Sequence, residues 1–148
     1  MCGIVGHIGP CDAIQVVIEG LRRLEYRGYD SAGICFKKKD GQLSLHKKTG
    51  RLENLEKAIS SLEHNAHACI GHTRWATHGE VNDVNAHPHM TDTFAIDDDN
   101  SLSIVHNGII ENATELKRFL ISEGINFKSQ TDSEVFLGLM VYELRSGA

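Results

Sequence analysis

The first residue able to do chemistry is Cys2, which follows Met1 and precedes Gly3. Its small side chain favours removal of Met1, after which Cys2 has both a thiol and a free α-amine. Such an amine has a reference pKa of about 7.7–8.0, so it is partly neutral near pH 7 and can accept a proton. One residue then supplies a nucleophile and its base. The alternative is a buried cysteine in a short strand, a common environment for a free thiol.

A polar segment over residues 72–89, HTRWATHGEVNDVNAHPH, has residue types suited to binding a small polar molecule. Arg74 can hold a carboxylate through two parallel hydrogen bonds. Trp75 could close over a ligand, and Thr77 and His78 add polar anchors. The alternatives are a plain surface loop and a metal site built from histidines, although the H-E-x-x-H pattern is missing. Those histidines are His72, His78, His87 and His89.

Two further stretches add groups that could act on a bound molecule. In VHNGII, residues 105–110, the Asn107 side-chain amide and the Gly108 backbone N–H could form an oxyanion hole. An Asn-Gly pair between apolar runs is also a strong hairpin signal, and that alternative stays open. In TDSEV, residues 131–135, Asp132 could pair with a substrate ammonium or simply stabilise the start of a helix.

Together these stretches hold the groups that a free α-amino acid with a reactive side-chain carbonyl requires. The groups are a nucleophile with its base, a carboxylate clamp, an oxyanion hole and an ammonium acceptor. Glutamine fits this set, because Arg74 would hold its α-carboxylate and Asp132 its α-ammonium. The side-chain amide would then be left for Cys2.

Composition limits the class of protein. A length of 148 residues suits one domain with one core. Hydrophobic residues make up 41% and charged residues 24%, as in globular proteins. The net charge of −5 argues against nucleic acid or an anionic membrane as a partner. No apolar run has the length of a membrane span, and we expect a cytoplasmic protein whose 4 cysteines are free thiols.

Hydrophobic periodicity predicts the elements that position these groups. Residues 2–9 predict a buried strand, and helical spacing predicts a helix from its N-cap Asp12 to about Glu25. Residues 74–92 predict a long loop, and residues 94–107 a hairpin with DDDN at its tip. The other predicted strands are 31–37, 42–48 and 68–73, and the other predicted helices are 52–62, 112–124 and 133–145.

The order of these elements indicates the fold class. Strands and helices are mixed but do not alternate strictly, and hairpins are present, which favours α+β with antiparallel sheet covered by helices. Two helix starts have the residues of a capping box, Asn112 with Glu115 and Thr131 with Glu134.

Six stretches of the sequence resemble the N-terminal glutaminase half of the glutamine–fructose-6-phosphate aminotransferase family. They are MCGIVG, EYRGYDSAG, GHTRWATHG, NAHPH, VHNGIIEN and TDSEV. The resemblance extends from Cys2 to about Glu143. The start CGI alone would fit any class II glutamine amidotransferase, whereas EYRGYDSAG and HTRWATHG point to the branch that makes hexosamines.

The resemblance implies an N-terminal-nucleophile hydrolase fold, a four-layer αββα sandwich with antiparallel sheets. It also implies that Cys2 attacks the glutamine amide, that a glutamyl thioester forms as ammonia leaves, and that water releases glutamate. Asn107 and the Gly108 N–H would form the oxyanion hole, and Trp75 would lie on the loop that closes over the substrate. The residues implied to bind glutamine are Arg74, Thr77, His78, Gly108 and Asp132, and those implied to support the site are Arg27 and His87.

The resemblance also bears on domains and partners. We expect residues 1–148 to be the N-terminal portion of a truncated glutaminase domain, without the sugar-phosphate isomerase domain. Fructose 6-phosphate would be a partner only through that second domain, where the ammonia would convert it to glucosamine 6-phosphate. No metal or organic cofactor is implied, and a homodimer is a possible assembly. The alternatives are a catalytically silent fragment that binds glutamine or self-associates, if Met1 is retained or the sandwich is incomplete, and a histidine-based metal-binding module.

Overall fold

A computed structural model of the protein describes residues 2–62, 65–76, 80–91 and 101–147. Two of the predicted site residues, Thr77 and His78, lie outside these ranges, as does the DDDN tip of the predicted hairpin. The strands are β1 Gly3–Ile8, β2 Ser31–Lys37, β3 Leu43–Thr49, β4 Ala68–Arg74, β5 His89–Met90 and β6 Ser103–Ile104. The helices are α1 Ala13–Leu24, α2 Leu52–Ile59, α3 Ala113–Ser122 and α4 Asp132–Arg145, with a 3-10 turn at Glu25–Arg27.

The first sheet has four antiparallel strands in the order β1-β4-β2-β3. Helices α1 and α2 cover one of its faces, because their apolar side chains recur at helical spacing and pack against alternate strand residues. Helix α1 begins where predicted, since the Asp12 carboxylate accepts the N–H of Ile14 at 3.3 Å. The main side chains of this core are Ile14, Val17, Leu21, Ile34, Phe36, Leu52, Leu55 and Ile59.

The second sheet is the antiparallel pair β5-β6, in which His89 lies opposite Ile104. Helices α3 and α4 cover it around a second apolar cluster of Leu120, Ile125, Val135, Leu137 and Val141. The free face of the first sheet contacts this second layer at Gly33, where an added Cβ would lie 2.1 Å from the His87 carbonyl oxygen. The layers therefore run helix, sheet, sheet, helix, which confirms the predicted α+β sandwich.

One prediction about the strands after β4 is wrong. The segment 74–92, predicted as a loop, contains β5, which pairs with β6, while the first strand of the hairpin predicted over 94–107 lies outside the described residues. The Asn107–Gly108 pair forms no hairpin turn, because the chain continues from β6 through an irregular segment to α3. Strands of two residues have no periodic pattern, so the sequence offers little signal for them.

Both predicted capping boxes are also wrong. Neither Asn112 nor Thr131 makes a side-chain hydrogen bond to the helix that follows it. The Thr131 hydroxyl instead lies 2.8 Å from His89 Nε2. The Glu134 carboxylate accepts the backbone N–H groups of Lys128 at 3.0 Å and Ser129 at 2.6 Å. Glu134 therefore fastens the loop before α4 to the helix through local hydrogen bonds that differ from those of a capping box.

Across the described ranges no helix is long and apolar enough to span a membrane.

Candidate active site

A cavity of about 340 Å³ opens where β1 and β4 meet the segment after β6 and the start of α4. Its size is that of a small-molecule pocket. Every predicted site residue that the structure describes lines it, together with residues that the sequence did not predict as part of the site. The predicted ones are Cys2, Arg27, Arg74, Trp75, His87, Asn107, Gly108 and Asp132. The others are His72, His106, Ile109, Thr131 and Ser133.

Cys2 enters the cavity because β1 pairs closely with β4. Gly3 lies opposite Thr73 in this pairing, and an added Cβ at Gly3 would lie 2.8 Å from both the Leu24 Cβ and the Thr73 hydroxyl. Only glycine allows this approach, which explains the residue type directly after Cys2. The Cys2 Sγ contacts the backbone of Trp75, lying 3.2 Å from its N–H and 3.5 Å from its carbonyl oxygen.

Cys2 differs from the other cysteines in its surroundings. Cys35 and Cys69 are buried, and burial raises the pKa of both thiols, that of Cys69 to about 12. These two therefore stay protonated and unreactive. Cys11 is exposed, and Cys2 is half-buried at the cavity. The prediction of free thiols is confirmed for all 4 cysteines.

Asn107 and Gly108 sit beside Cys2 in the irregular segment after β6. The Asn107 Nδ2 donates to the Cys2 carbonyl oxygen at 3.1 Å. Its Oδ1 lies 2.8 Å from His72 Nε2 on β4. Gly108 is exposed and lines the same cavity, so this segment brings both the Asn107 amide and the Gly108 backbone to the cavity that holds Cys2. Two donors placed in this way beside a thiol can stabilise a developing oxyanion.

Arg74 and Asp132 provide opposite charges in the same cavity. Arg74 is 5% exposed, and burial lowers the pKa of its guanidinium while the charges of Cys2, Asp30 and Asp132 oppose that shift. The Arg74 Nη1 donates to the carbonyl oxygen of Glu80 at 3.3 Å. Asp132, the first residue of α4, accepts the backbone N–H of Ile110 at 2.7 Å through Oδ2. A zwitterionic ligand would match this pair of charges.

The loop before β2 supports the Arg74 segment. The Asp30 N–H donates to the Arg74 carbonyl at 3.0 Å, and its carboxylate accepts the Ala76 N–H at 2.7 Å. Gly28 lies against the same backbone, where a Cβ would be 2.7 Å from the Arg74 carbonyl carbon. The Trp75 ring, 44% exposed, packs edge-on against Tyr29 with centroids 5.7 Å apart.

Asn85 is a buried polar residue that the sequence did not reveal. It is 1% exposed, and its Nδ2 donates to the Glu80 carbonyl at 3.0 Å and to the Gln130 Oε1 at 3.2 Å. Its Oδ1 accepts the Gln130 N–H at 2.8 Å. Asn85 thereby joins the segment that contacts Arg74 to the segment that precedes Asp132. An asparagine in a polar stretch has no local pattern that would indicate this role.

Three histidines form a buried stack between the sheets. The ring centroids of His72 and His87 lie 4.3 Å apart, and the two rings are nearly parallel. The ring of His87 also contacts that of His89 edge-on, with 4.7 Å between the centroids. Burial lowers the pKa of all three imidazoles, to about 4 for His72 and about 3 for His89. His72 Nε2 bonds Asn107, His89 Nε2 bonds Thr131, and His87 Nδ1 accepts the His106 N–H at 3.4 Å. Within the described ranges, no cluster of three or more metal-ligating side chains occurs.

The histidine stack predicts acid sensitivity of the fold. The three rings are neutral when folded but titrate near pKa 6.5 when unfolded, so the unfolded state binds more protons below that pH. The free energy of unfolding therefore has its full value above pH 6.5 and decreases as the pH falls towards about 4. Each ring contributes a slope of about 1.4 kcal/mol per pH unit, or about 4 kcal/mol per pH unit for three.

Urea unfolding at intervals from pH 7.5 to 4.5 measures this slope. His89→Phe removes one titrating ring and should flatten the slope by about a third, whatever it does to stability at pH 7.5. A free energy of unfolding that stays constant from pH 7 to pH 5 would contradict the prediction.

The sequence of this chain is similar to those of known glutamine-dependent enzymes. Residues 84–147 match the family model described as a glutamine amidotransferase domain. The chain is 50% identical, over 96% of its length, to the glutamine–fructose-6-phosphate aminotransferase (isomerizing) of Clostridium acetobutylicum, of which it covers 22%. The enzyme of the same name from Pyrococcus horikoshii is 50% identical over 98% of this chain, which covers 23% of it. The chain thus spans under a quarter of the length of these relatives.

Solved structures agree with the sequence comparison. The glutamine phosphoribosylpyrophosphate amidotransferase of B. subtilis, complexed with ADP and GMP, superposes with a TM-score of 0.81 at 30% identity. An allosteric regulatory enzyme of purine biosynthesis superposes with a TM-score of 0.83 at 30% identity. In both cases the match covers 100% of this chain and 30% of the other.

The chain has the fold of the N-terminal-nucleophile hydrolases, and its residues 84–147 match a glutamine amidotransferase domain. Within that class, the chain resembles the N-terminal glutaminase part of the glutamine–fructose-6-phosphate aminotransferases, as the sequence motifs predicted.

Proposed function

We propose that this chain hydrolyses the side-chain amide of glutamine, with Cys2 as the nucleophile. The observation that supports this most is one cavity that holds a thiol, two oxyanion-hole donors, a buried guanidinium and a carboxylate. No other arrangement of groups in the described ranges offers all four. The match to a glutamine amidotransferase domain supports the same substrate.

Binding would use the two charges of the amino acid. Arg74 would hold the α-carboxylate, and Asp132 would hold the α-ammonium through the carboxylate oxygen that Ile110 does not occupy. Trp75 would lie on the loop that closes over the ligand, Thr77 and His78 would help to bind it, and Arg27 and His87 would support the site. The side-chain amide would then reach Cys2 and the donors of Asn107 and Gly108.

The reaction would proceed in two halves. After removal of Met1, the Cys2 α-amine takes the thiol proton, and Sγ forms a bond to the amide carbon. Asn107 Nδ2 and the Gly108 N–H stabilise the oxyanion, the C–N bond breaks, and the proton leaves with ammonia. Water then breaks the thioester C–S bond, which gives glutamate and returns a proton to Sγ.

In the longer relatives, the second part of the protein would use the ammonia. By analogy with their names, we propose that residues 1–148 are the N-terminal portion of the glutaminase domain of such an enzyme. Fructose 6-phosphate would be the acceptor, and glucosamine 6-phosphate the product, through a domain other than this one. We also propose a cytoplasmic location and no resident metal or organic cofactor.

The release of glutamate from glutamine tests the proposed activity directly. Intact mass before and after treatment with an electrophilic glutamine analogue would show whether Met1 is gone and whether one thiol is modified. Peptide mapping should place the label on Cys2 and leave Cys11 unlabelled. Heat stabilisation by glutamine without glutamate release would instead support a silent glutamine-binding chain.

Replacement of Asp132 by Asn tests the ammonium acceptor. Asn keeps an oxygen that can accept the Ile110 N–H, so the start of α4 should persist. Loss of the charge should raise KM for glutamine by about 10- to 100-fold, since a hydrogen bond to a charged group is worth about 1.5–3 kcal/mol. Steady-state kinetics measure KM and kcat separately.

The matched control is Glu111→Gln, which removes a nearby exposed carboxylate that does not line the cavity. Its KM should equal that of the unmodified chain. An Asp132→Asn variant with unchanged KM would show that Asp132 does not bind the substrate.

A further inference from the structure

We infer that His72 is a positioning residue of the oxyanion hole: its Nε2–H holds the Asn107 side-chain oxygen and so turns the Asn107 NH₂ group towards Cys2. This inference rests on the proposed hydrolysis of glutamine. It begins from two contacts of one side chain, Asn107 Oδ1 to His72 Nε2 at 2.8 Å and Asn107 Nδ2 to the Cys2 carbonyl at 3.1 Å.

The two contacts fix which way the Asn107 amide faces. The Cys2 carbonyl can only accept a hydrogen bond, so the amide nitrogen must face it. The amide oxygen must then face His72, and an oxygen can only accept. His72 Nε2 must therefore bear the proton. The second N–H of the Asn107 NH₂ group remains available for a bound substrate.

The surroundings of His72 favour this single arrangement. Its ring is 1% exposed and stacks on His87 with an interplanar angle of 17°. Gly33 lies directly opposite on β2, so no side chain from that strand displaces the ring. Burial lowers the pKa of the imidazole to about 4, and the ring is neutral near pH 7 with one proton. The Nε2 of this ring lies 2.8 Å from an acceptor, the Asn107 Oδ1, so Nε2 is the nitrogen that holds the proton.

His72 is therefore a donor buried behind the oxyanion hole, on the opposite side of Asn107 from Cys2. Without it, the Asn107 Oδ1 loses its partner and the side chain can rotate between orientations. A misplaced donor loses transition-state stabilisation while the Arg74 and Asp132 charges that would bind the substrate stay in place. The expected defect lies in kcat and not in KM.

The test compares His72→Phe with His72→Gln. Phenylalanine keeps a flat ring against His87 but removes the donor, and it should lower kcat by about 10- to 100-fold, with KM changed less than about threefold. Glutamine places an NH₂ group near the former Nε2 position and should restore most of kcat. The control is His46→Gln, since His46 Nε2 also bonds a neighbouring side chain, Ser44 at 2.9 Å, but lies outside the cavity.

Alkylation of Cys2 by iodoacetamide separates positioning from damage to the nucleophile. That reaction displaces iodide and forms no oxyanion, so His72→Phe should alkylate at the same rate as the unmodified chain. Equal kcat in both proteins would overturn the inference. So would an alkylation rate that falls in parallel with kcat, or a glutamine variant as impaired as the phenylalanine variant.

The tautomer of His72 provides a readout that needs no turnover. Long-range ¹H–¹⁵N NMR of the unmodified chain should show a proton on Nε2 and none on Nδ1, without titration near pH 6.5. A proton on Nδ1 would overturn the inference even if glutamine is hydrolysed. If the chain hydrolyses no glutamine, the proposed function fails, while the tautomer still decides whether His72 orients Asn107.

Discussion

Replacing Cys2 by Ala should lower the rate of glutamate release from glutamine by about a thousandfold or more. The alanine side chain has no atom that can form the thioester, and a water molecule in the same place is a weaker nucleophile than an activated thiol. Arg74 and Asp132 are unchanged, so glutamine should still bind. A coupled glutamate assay measures turnover, and calorimetry with glutamine measures binding in the absence of reaction.

The control for Cys2 is Cys11→Ala, which removes an exposed thiol distant from the cavity. It should retain the full rate. Equal rates for the unmodified chain and Cys2→Ala would remove Cys2 as the nucleophile. Intact mass must accompany each preparation, because retention of Met1 would leave Cys2 without its α-amine.

The second large expected effect is a loss of stability when Gly33 is replaced by alanine. An alanine Cβ there would lie 2.1 Å from the His87 carbonyl oxygen and 3.1 Å from that of His46. Both are backbone atoms, so neither can swing aside, and the two sheets would have to separate. Overpacking usually costs about 1–3 kcal/mol, and this overlap exceeds the usual case. We expect Gly33→Ala to lose at least about 3 kcal/mol in the free energy of unfolding or to fail to fold.

Gly6→Ala is the matched control, because Gly6 lies on the same face of the same sheet. Its added Cβ would meet Ile70 at an ordinary 3.8 Å. Alanine is favoured over glycine in a strand by roughly 0.5–1 kcal/mol, so this variant should be as stable as the unmodified chain or slightly more stable. Urea unfolding followed by circular dichroism measures both variants. Equal stability of Gly33→Ala would mean that the sheets are further apart than the structure shows.

Local patterns account for most of the fold. Periodic apolar residues predicted α1, and an apolar run predicted β2, each to within a residue or two. The same approach failed for β5, a two-residue strand that forms through its contact with the distant β6. It failed again at Glu134, because the carboxylate accepts the N–H groups of Lys128 and Ser129 in the preceding loop instead of forming the expected capping box.

The site was predicted unevenly for a similar reason. Cys2, Arg74, Asn107 and Asp132 were recognisable because their chemistry is visible in the residue type. The residue type of His72 indicates only a metal ligand, although its spacing from Arg74 places both side chains on one face of a strand. That signal was available in the sequence. Asn85 had no such signal, since its role depends on the contact between the segments around Glu80 and Gln130.

The network around Asn85 has a consequence for the handedness of a bound amino acid. Arg74, Asp132 and Cys2 come from three separate segments, and Asn85 joins the surroundings of the first two through Glu80 and Gln130. Three fixed points of attachment around one α-carbon distinguish a molecule from its mirror image. A D-amino acid that satisfied Arg74 and Asp132 would direct its side chain away from Cys2, so the rigidity of this frame would itself select the L-form.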